Sequence, residues 1–480
     1  MAERDDDTRM SPFEAMMWEV DSDPHLASSF SNLTILDRPP DRAVLRAKLN
    51  RATVVVGRLR QRVVPTPGRL APPEWRDDPE FDLDHHVRWV DLGGNADHEE
   101  LCRFAVRTFA QPFDRERPLW EFVVVEGLEG GRAAMVQRFH HTIADGKGGI
   151  RISAQFLDLE AHPAEPDEPA AIPPLAPSTT DPVDPESWWA RNSRAFGHAT
   201  GQVRDVAGSI GQLLTRPGDL PARGAELADM ARSAARQIRV DSRRSPLWTE
   251  RSLDRWFGTT KINLDDVRTA ASALGGSIND LFVTGAVDGA ARHHEAHGAP
   301  VAELRLSMPI STRDDKRVGG NAFTPSQTLV PTGPMDVAER FRAIHEALDV
   351  VKREHVTSVD AAAVAANLLP RAAIVRTTQM VTGSVDFVVS NVKAAPFDLY
   401  IAGAFMEANY PLGPLAGTAF NLTTMSYRGW LFLGLVADTA AIADPDVLLG
   451  AIENSYRELL KAGGVKRRTV KDPRLTAEVS

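Results

Sequence analysis

The sequence predicts an α/β or α+β protein with mixed sheets, because strand-like and helix-like segments interleave in both halves of the chain. Three observations carry this reading. β-branched and aromatic runs recur at LWEFVVVEGL (119–128), AAMVQRF (133–139), LRLSMPI (304–310), VDFVVSNV (385–392) and WLFLGLVAD (430–438). Between them lie segments whose apolar residues fall three or four apart, the helical period. The chain has 480 residues, 43% hydrophobic and 25% charged, which suits a soluble globular protein of two large units or three smaller ones.

The first unit is expected over 11–162. Leu45, Leu49, Val54 and Val55 predict a helix in LRAKLNRATVVVGRLRQRVV. The strands at 119–128 and 133–139 are joined by a glycine-rich turn at Gly130 and Gly131, which reads as a hairpin. GGIRISAQFLDLEA (148–161) predicts a further helix. Residues 163–185 hold eight of the 33 prolines and read as an extended linker. A helical stretch follows within 163–245. Phe196, Ala199, Val203, Val206, Ile210 and Leu213 form one apolar stripe, suited to packing on the protein or to facing lipid. The second unit is expected over 246–465, with helices at 264–274, 278–297, 335–355 and 445–462 between its strands. The polar tail beyond it reads as frayed.

Charge and cysteine usage narrow the function. Lys and Arg total 55 against 65 Asp and Glu, a net charge of -10, so no nucleic-acid partner is expected. The single cysteine, Cys102, excludes an intrachain disulfide and a cysteine-rich metal site, and fits a reducing compartment. No secretory leader and no spanning helix are expected.

The most informative string is RFHHTIADGKGG, Arg138–Gly149. His140 and His141 end a predicted strand, and Asp145 and Gly146 follow just before a helix. A strand end presents a side chain to a cleft, and imidazole titrates near neutrality, so a base fits there. Adjacent strand residues point to opposite faces, which disfavours one metal ion held by both histidines, and no metal is expected. Two other pairs, His85-His86 and His293-His294, precede no Asp-Gly and read as surface or capping histidines. Ser277 and Asp280 have the spacing of a capping box, which gives Asp280 a structural reading.

HHTIADG resembles the HHxxxDG signature of the CoA-dependent acyltransferase superfamily. Its surroundings are similar to bacterial wax ester synthase/diacylglycerol acyltransferases: SPFEAMMWEV (11–20), DPEFDLDHHVR (78–88), RPLWEFVVVEGL (117–128), SPLW (245–248), GGSINDLFVTGAVDGAAR (275–292), SMPISTR (307–313) and YPLGPLAGTAFNLTTMSYRGWLFLGLVAD (410–438). The resemblance runs along nearly the whole chain, in order, and is weakest from the linker to the helices after it.

The resemblance implies two chloramphenicol-acetyltransferase-like subdomains with mixed sheets enclosing a central tunnel. It implies transfer of a long acyl chain from acyl-CoA, a substrate and not a cofactor, to diacylglycerol or a fatty alcohol, giving triacylglycerol or wax ester. No cofactor is expected. His141 would be the general base and His140 a supporting residue. Asp145 would hold the loop through an arginine, with Arg313 as candidate, and Gly146 would keep the entrance open. Asn279 would contribute a hydrogen-bond donor and Asp21 an acid near the substrate. The protein would be cytoplasmic, peripheral on membrane or lipid droplets. SNVKAAP (390–396) departs from the family's SNVPGP, and HLASSFSNL (25–33) from its Met-His-Val-Gly-like string, which leaves substrate choice open. A different hydroxyl or amine acceptor, an acyl-carrier-protein donor, or a non-catalytic lipid-binding homologue are the alternatives.

Overall fold

The computed structural model describes residues 9–66, 69, 71–144, 146–162, 242–311, 323–353, 363, 367 and 369–465. The proline-rich linker, the stripe from Phe196 to Leu213, Asp145, Arg313 and the polar tail lie outside the described residues.

Two mixed sheets organise the chain, each over its own hydrophobic core. In the first unit the elements run α1 (Pro12–Val20), β1 (Ser29–Leu36), α2 (Arg42–Val55), β2 (Gln61–Val64), β3 (Glu74–Asp77), α3 (Leu83–His86), β4 (Val87–Ala96), α4 (His98–Ala110), β5 (Trp120–Leu128), β6 (Ala133–His140), α5 (Gly146–Ser153) and β7 (Leu157–Asp158). In the second they run β8 (Arg255–Asn263), α6 (Leu264–Ala273), α7 (Ile278–Ala296), β9 (Glu303–Ser311), β10 (Phe323–Pro331), α8 (Val337–Arg353), α9 (Arg371–Gly383), β11 (Phe387–Lys393), β12 (Tyr400–Ile401), β13 (Ala404–Leu412), β14 (Phe420–Tyr427), β15 (Trp430–Asp438) and α10 (Pro445–Ala462).

The first sheet has the order β4-β5-β6-β1-β13-β12-β7, and the second β10-β9-β11-β14-β15-β8. Two strands of the first sheet, β12 and β13, therefore come from the C-terminal half. β13 pairs antiparallel with β1 along Ser31↔Leu412 to Leu36↔Met406. This crossing needs a residue without a side chain beneath it. A Cβ on Gly434 of β15 would lie 1.9 Å from the Pro411 carbonyl oxygen of β13. His98 Nε2 adds a contact to Thr259 Oγ1 at 2.7 Å, joining α4 to β8.

Most predicted elements form where periodicity placed them, with three differences. The helix expected through Val64 ends at Val55, and Gln61–Val64 instead pairs with Glu74–Asp77 as a hairpin. The helix expected over 148–161 stops at Ser153. Leu157 and Asp158 are drawn to the sheet edge beside β12, where Lys48 pairs with Asp158. The histidine pairs are the third difference, since only His85 of the four is exposed as expected. His86 is 2% exposed, stacked on Trp120 at 4.6 Å, and donates from Nδ1 to the Trp120 carbonyl at 2.8 Å. His293 and His294 are also buried. His294 donates from Nδ1 to the Ala290 carbonyl and accepts at Nε2 from Ser245 Oγ, both at 2.8 Å. These are core histidines: His294 has both ring nitrogens bonded, whereas His86 Nε2 and His293 Nδ1 are buried without a hydrogen-bond partner among the described residues, and packing against Trp120 and Trp248 buries the rings.

Candidate active site

The HHTIADG string sits where three chain segments meet. β6 is buried along its whole length and pairs with β1, ending at Ser29↔His140. The register continues one step further, with the His141 amide donating to the Ser28 carbonyl at 3.1 Å. Helix α1 arrives from the other side. Ser11 and Glu14 close a capping box at its start, and Asp21 is its C-terminal cap. Asp21 Oδ1 accepts from the Ser28 amide at 3.0 Å, so the end of α1 is fastened to the start of β1.

Strand alternation then separates the two histidines. His140 is 1% exposed and points back toward α1. Its Nδ1 accepts from the Thr142 amide at 3.2 Å and lies 2.7 Å from Thr142 Oγ1. A nitrogen that accepts from an amide carries no proton, so in the neutral ring the proton is on Nε2. Nε2 faces Asp21, with Oδ1 at 3.2 Å. The approach lies off the hydrogen-bond line, which makes the contact electrostatic more than directional. Burial works to raise the Asp21 pKa. The facing imidazole, the Ser28 amide and the Arg115 charge together outweigh it and hold the carboxyl below its ordinary value. Arg115 is itself seated, donating to the Trp18 carbonyl at 2.7 Å over the Trp18 ring.

His141 faces the other way. It is half-buried, and its ring lies 4.7 Å from that of Phe30 at a 38° tilt. Phe30 also packs under α5, where a Cβ on Gly149 would lie 3.3 Å from its ring carbons. Gly146 is the first residue of α5. Asp145 and Arg313 fall outside the described residues, so their pairing stays an expectation from sequence.

The second half offers Asn279, in the first turn of α7. It is half-buried, and its side-chain oxygen accepts from Asn391 Nδ2 at 3.2 Å. Asn391 belongs to the SNVKAAP segment, so the two motif asparagines touch. Asp280 is fully buried and does structural work. It completes the capping box with Ser277 and lies 2.9 Å from His345 Nδ1. The SPLW turn is structural too: Ser245 Oγ accepts from the Trp248 amide, and the buried Asp386 carboxylate accepts from the Ser245 and Arg305 amides.

Sequence reasoning missed Thr142, Ser28, Arg115 and His345. Thr142 occupies a variable position of HHxxxDG, Ser28 lies in the HLASSFSNL segment that departs from the family's string, and Arg115 and His345 carry no motif. A charged cavity of about 470 Å³ opens beside β5, lined by Arg88, Phe113, Arg117, Glu121 and Arg138 among others. Neither motif histidine lines it, and its arginines pair with local carboxylates, so it is unsuited to an acyl chain. Cys102 is buried and its thiol is pushed up to about 12 by desolvation, which removes it as a nucleophile. Among the described residues, no helix is long and apolar enough to cross a membrane.

Comparison with known proteins gives a consistent outcome. Residues 10–282 match the wax ester synthase/diacylglycerol acyltransferase catalytic domain, and 319–460 match the C-terminal domain of the same family. A Mycobacterium tuberculosis protein that carries the name diacylglycerol O-acyltransferase is 32% identical over 475 residues, covering 97% of this chain and 95% of its own. Another of that name from the same organism is 29% identical, covering 84% and 85%. The fold is similar to that of the wax ester synthase/diacylglycerol acyltransferase from Marinobacter aquaeolei, with a TM-score of 0.63 at 21% identity over 95% of this chain and all of that one. It is also similar to the starter condensation domain of rhizomide synthetase, solved with C8-CoA, with a TM-score of 0.59 at 16% identity over 95% and 94%. With both family domains matched in order and a relative aligned nearly end to end, the chain belongs to the wax ester synthase/diacylglycerol acyltransferase family and is an acyltransferase.

Proposed function

We propose that the enzyme moves a long acyl chain from acyl-CoA to the hydroxyl of diacylglycerol or of a fatty alcohol, with His141 as the general base. The observation that carries this reading is the contrast between the two motif histidines. His140 is sealed against Asp21 and Thr142, whereas His141 is half-buried on the opposite face of the strand end. The partial exposure of His141 supports it as the residue that meets a substrate hydroxyl.

The His141 imidazole takes the hydroxyl proton as the oxygen attacks the thioester carbonyl carbon. The tetrahedral oxyanion collapses, the carbon–sulfur bond breaks, and the imidazolium returns the proton to the departing CoA sulfur. Asn279 is the candidate donor to the oxyanion: its oxygen accepts from Asn391 and one side-chain N–H faces Met308 Sδ at 3.8 Å, which leaves the second N–H for the oxyanion. Asp21 keeps His140 in one orientation and thereby fixes the strand end that carries His141. From the family signature, Asp145 is expected to hold the loop ahead of α5 and Gly146 to keep the approach to the base open. The substrates meet in a passage between the two halves, and the protein works peripherally on a membrane or droplet surface where both apolar substrates reside.

The decisive experiment incubates purified enzyme with labelled long-chain acyl-CoA and a panel of diacylglycerols, fatty alcohols, amines and water. Labelled triacylglycerol or wax ester is expected. Transfer to amines alone, or from acyl-carrier protein alone, overturns the acceptor or donor assignment. Tight acyl-CoA binding with no transfer to any acceptor turns the reading to a non-catalytic homologue.

A further inference from the structure

We propose that His293, His297 and Asp444 form a divalent transition-metal site of the Zn²⁺ class, which ties the C-terminal end of α7 to the start of α10. His293 and His297 are four residues apart, one helical turn, so both imidazoles leave the same face of α7. Their ring centroids are 4.3 Å apart at 31°. Asp444, the residue before α10, reaches between them. One carboxylate oxygen lies 3.1 Å from His293 Nε2 and the other 2.9 Å from His297 Nε2.

The spacing suits a small tetrahedral ion. One donor atom from each residue can be chosen so that all three lie within 4.8 Å of one another. Zn–N and Zn–O bonds of about 2.0–2.1 Å in a tetrahedron require donor separations of roughly 3.3 Å. The two imidazole–carboxylate separations, 3.1 and 2.9 Å, lie within a few tenths of an ångström of that value. The tautomer of one ligand is also set. His297 Nδ1 donates to the His293 carbonyl at 2.7 Å, so an ion would displace the proton that Nε2 shares with the Asp444 carboxylate and take the Nε2 lone pair. Such an outer-shell bond orients a metal-binding histidine and raises its basicity. Two imidazoles and one carboxylate favour Zn²⁺, Co²⁺ or Ni²⁺ over Mg²⁺ and Ca²⁺, which take oxygen ligands. His293 is buried while His297 and Asp444 are 34% and 38% exposed at their side chains, so an ion can enter and a water can fill a fourth position.

The site lies far from the chemistry. His293 is fourteen residues beyond Asn279 on one helix, about 21 Å along its axis. An ion there takes no part in acyl transfer. It cross-links two helices that pack together in the second core.

The test uses tag-free full-length protein stripped with a chelator. Co²⁺ titration is followed by visible absorbance, with Zn²⁺ added in competition. One Co²⁺ per chain is expected, displaced by Zn²⁺, and the thermal midpoint should rise with Zn²⁺. His297→Ala and Asp444→Asn should each weaken binding by more than the roughly 10–100-fold that losing an outer-shell partner costs. Asp444 makes no side-chain cap bond to α10, so Asp444→Asn leaves the helix start intact. Acyl transfer should be unchanged in both variants. Absence of stoichiometric binding in the wild type would reduce the cluster to three groups sharing a proton and overturn the proposal. Binding that survives in either variant would overturn it as well.

Discussion

Asp21 and His140 meet at 3.2 Å where the end of helix α1 faces the end of strand β6, and the same carboxylate accepts the Ser28 amide at the start of β1. One side chain therefore fixes three segments around the strand end that presents His141. Removing its charge should cost what a hydrogen bond to a charged group contributes, about 1.5–3 kcal/mol, or roughly 10–100-fold in rate. Asp21→Asn is expected to lower kcat with little change in KM for acyl-CoA, and Asp21→Glu to recover part of the loss. A rise in KM at constant kcat would instead make Asp21 a substrate-binding residue.

The two histidines should separate in a substitution pair. His141→Ala is expected to lose at least the roughly 10²–10⁴-fold typical of a general base while melting like the wild type. His140→Ala leaves the Asp21 carboxylate facing a cavity, so it should lower both the thermal midpoint and activity. Differential scanning fluorimetry beside turnover measurements checks this. Full activity in His141→Ala would move the base elsewhere.

How much of this was legible in the chain varies with the physics of each element. The runs at 119–128, 304–310 and 430–438 are apolar enough to announce themselves as core strands. β1 is not, because SFSNLTIL mixes Ser, Asn and Thr into a buried strand. Ser31 Oγ donates to the Gln137 carbonyl and Thr34 Oγ1 accepts from Gln137 Nε2, which makes polar residues affordable there. The passage of β13 into the first sheet is a long-range pairing with no local signature. The motif located His140 and His141, but the sealing of one against Thr142 and Asp21, while the other stays half-buried, came from residues brought together by the fold. His86 and His294 misled because a histidine pair reads as polar, whereas a ring packed against tryptophan, as here against Trp120 and Trp248, is buried readily.

Asn279 and Asp280 are neighbours with separate tasks, and substitution should show it. Asp280→Asn weakens the capping box and the contact with His345, so the thermal midpoint should fall by the equivalent of about 1 kcal/mol or more. Asn279→Ala should leave the midpoint nearly unchanged. Its kcat should drop by up to the roughly 10²–10³-fold seen when an oxyanion donor is lost. Equal melting losses in both variants would make the asparagine structural as well.

Acid should destabilise the fold through two core histidines. Burial lowers the pKa of His86 and of His294 to about 4, from an ordinary value of 6.5. Above 6.5 both folded and unfolded imidazoles are neutral and the full stability is present. As pH falls from 6.5 toward 4, the unfolded rings take up protons that the folded ones refuse. Stability then drops by up to about 1.4 kcal/mol per pH unit for each ring. Urea unfolding between pH 7 and 4 should show this slope, and His86→Gln should remove about half of it. An unchanged slope in that variant would place the acid sensitivity in other groups.

The last prediction separates direct transfer from a covalent route. An acyl-enzyme needs a nucleophile, and Cys102 is the one thiol in the chain. Its sulfur lies 3.5 Å from His98 Nε2, which invites comparison with a Cys–His pair. The electrostatics argue otherwise. Desolvation pushes the thiol up to about 12 and also lowers the His98 pKa, so neither partner carries charge at neutral pH. A thiol at that value is ionised in only about one molecule in 10⁵ at pH 7. His98 Nε2 is moreover engaged by Thr259 Oγ1 at 2.7 Å. Cys102→Ser should stay active. Initial rates at several fixed acceptor concentrations should give intersecting reciprocal plots, because acyl donor and acceptor must both be bound when His141 takes the proton. Acyl-CoA without acceptor should release no stoichiometric burst of free CoA. Parallel plots together with a mass-shifted acyl-enzyme would replace general-base transfer with a two-step route, whichever residue carried the acyl group.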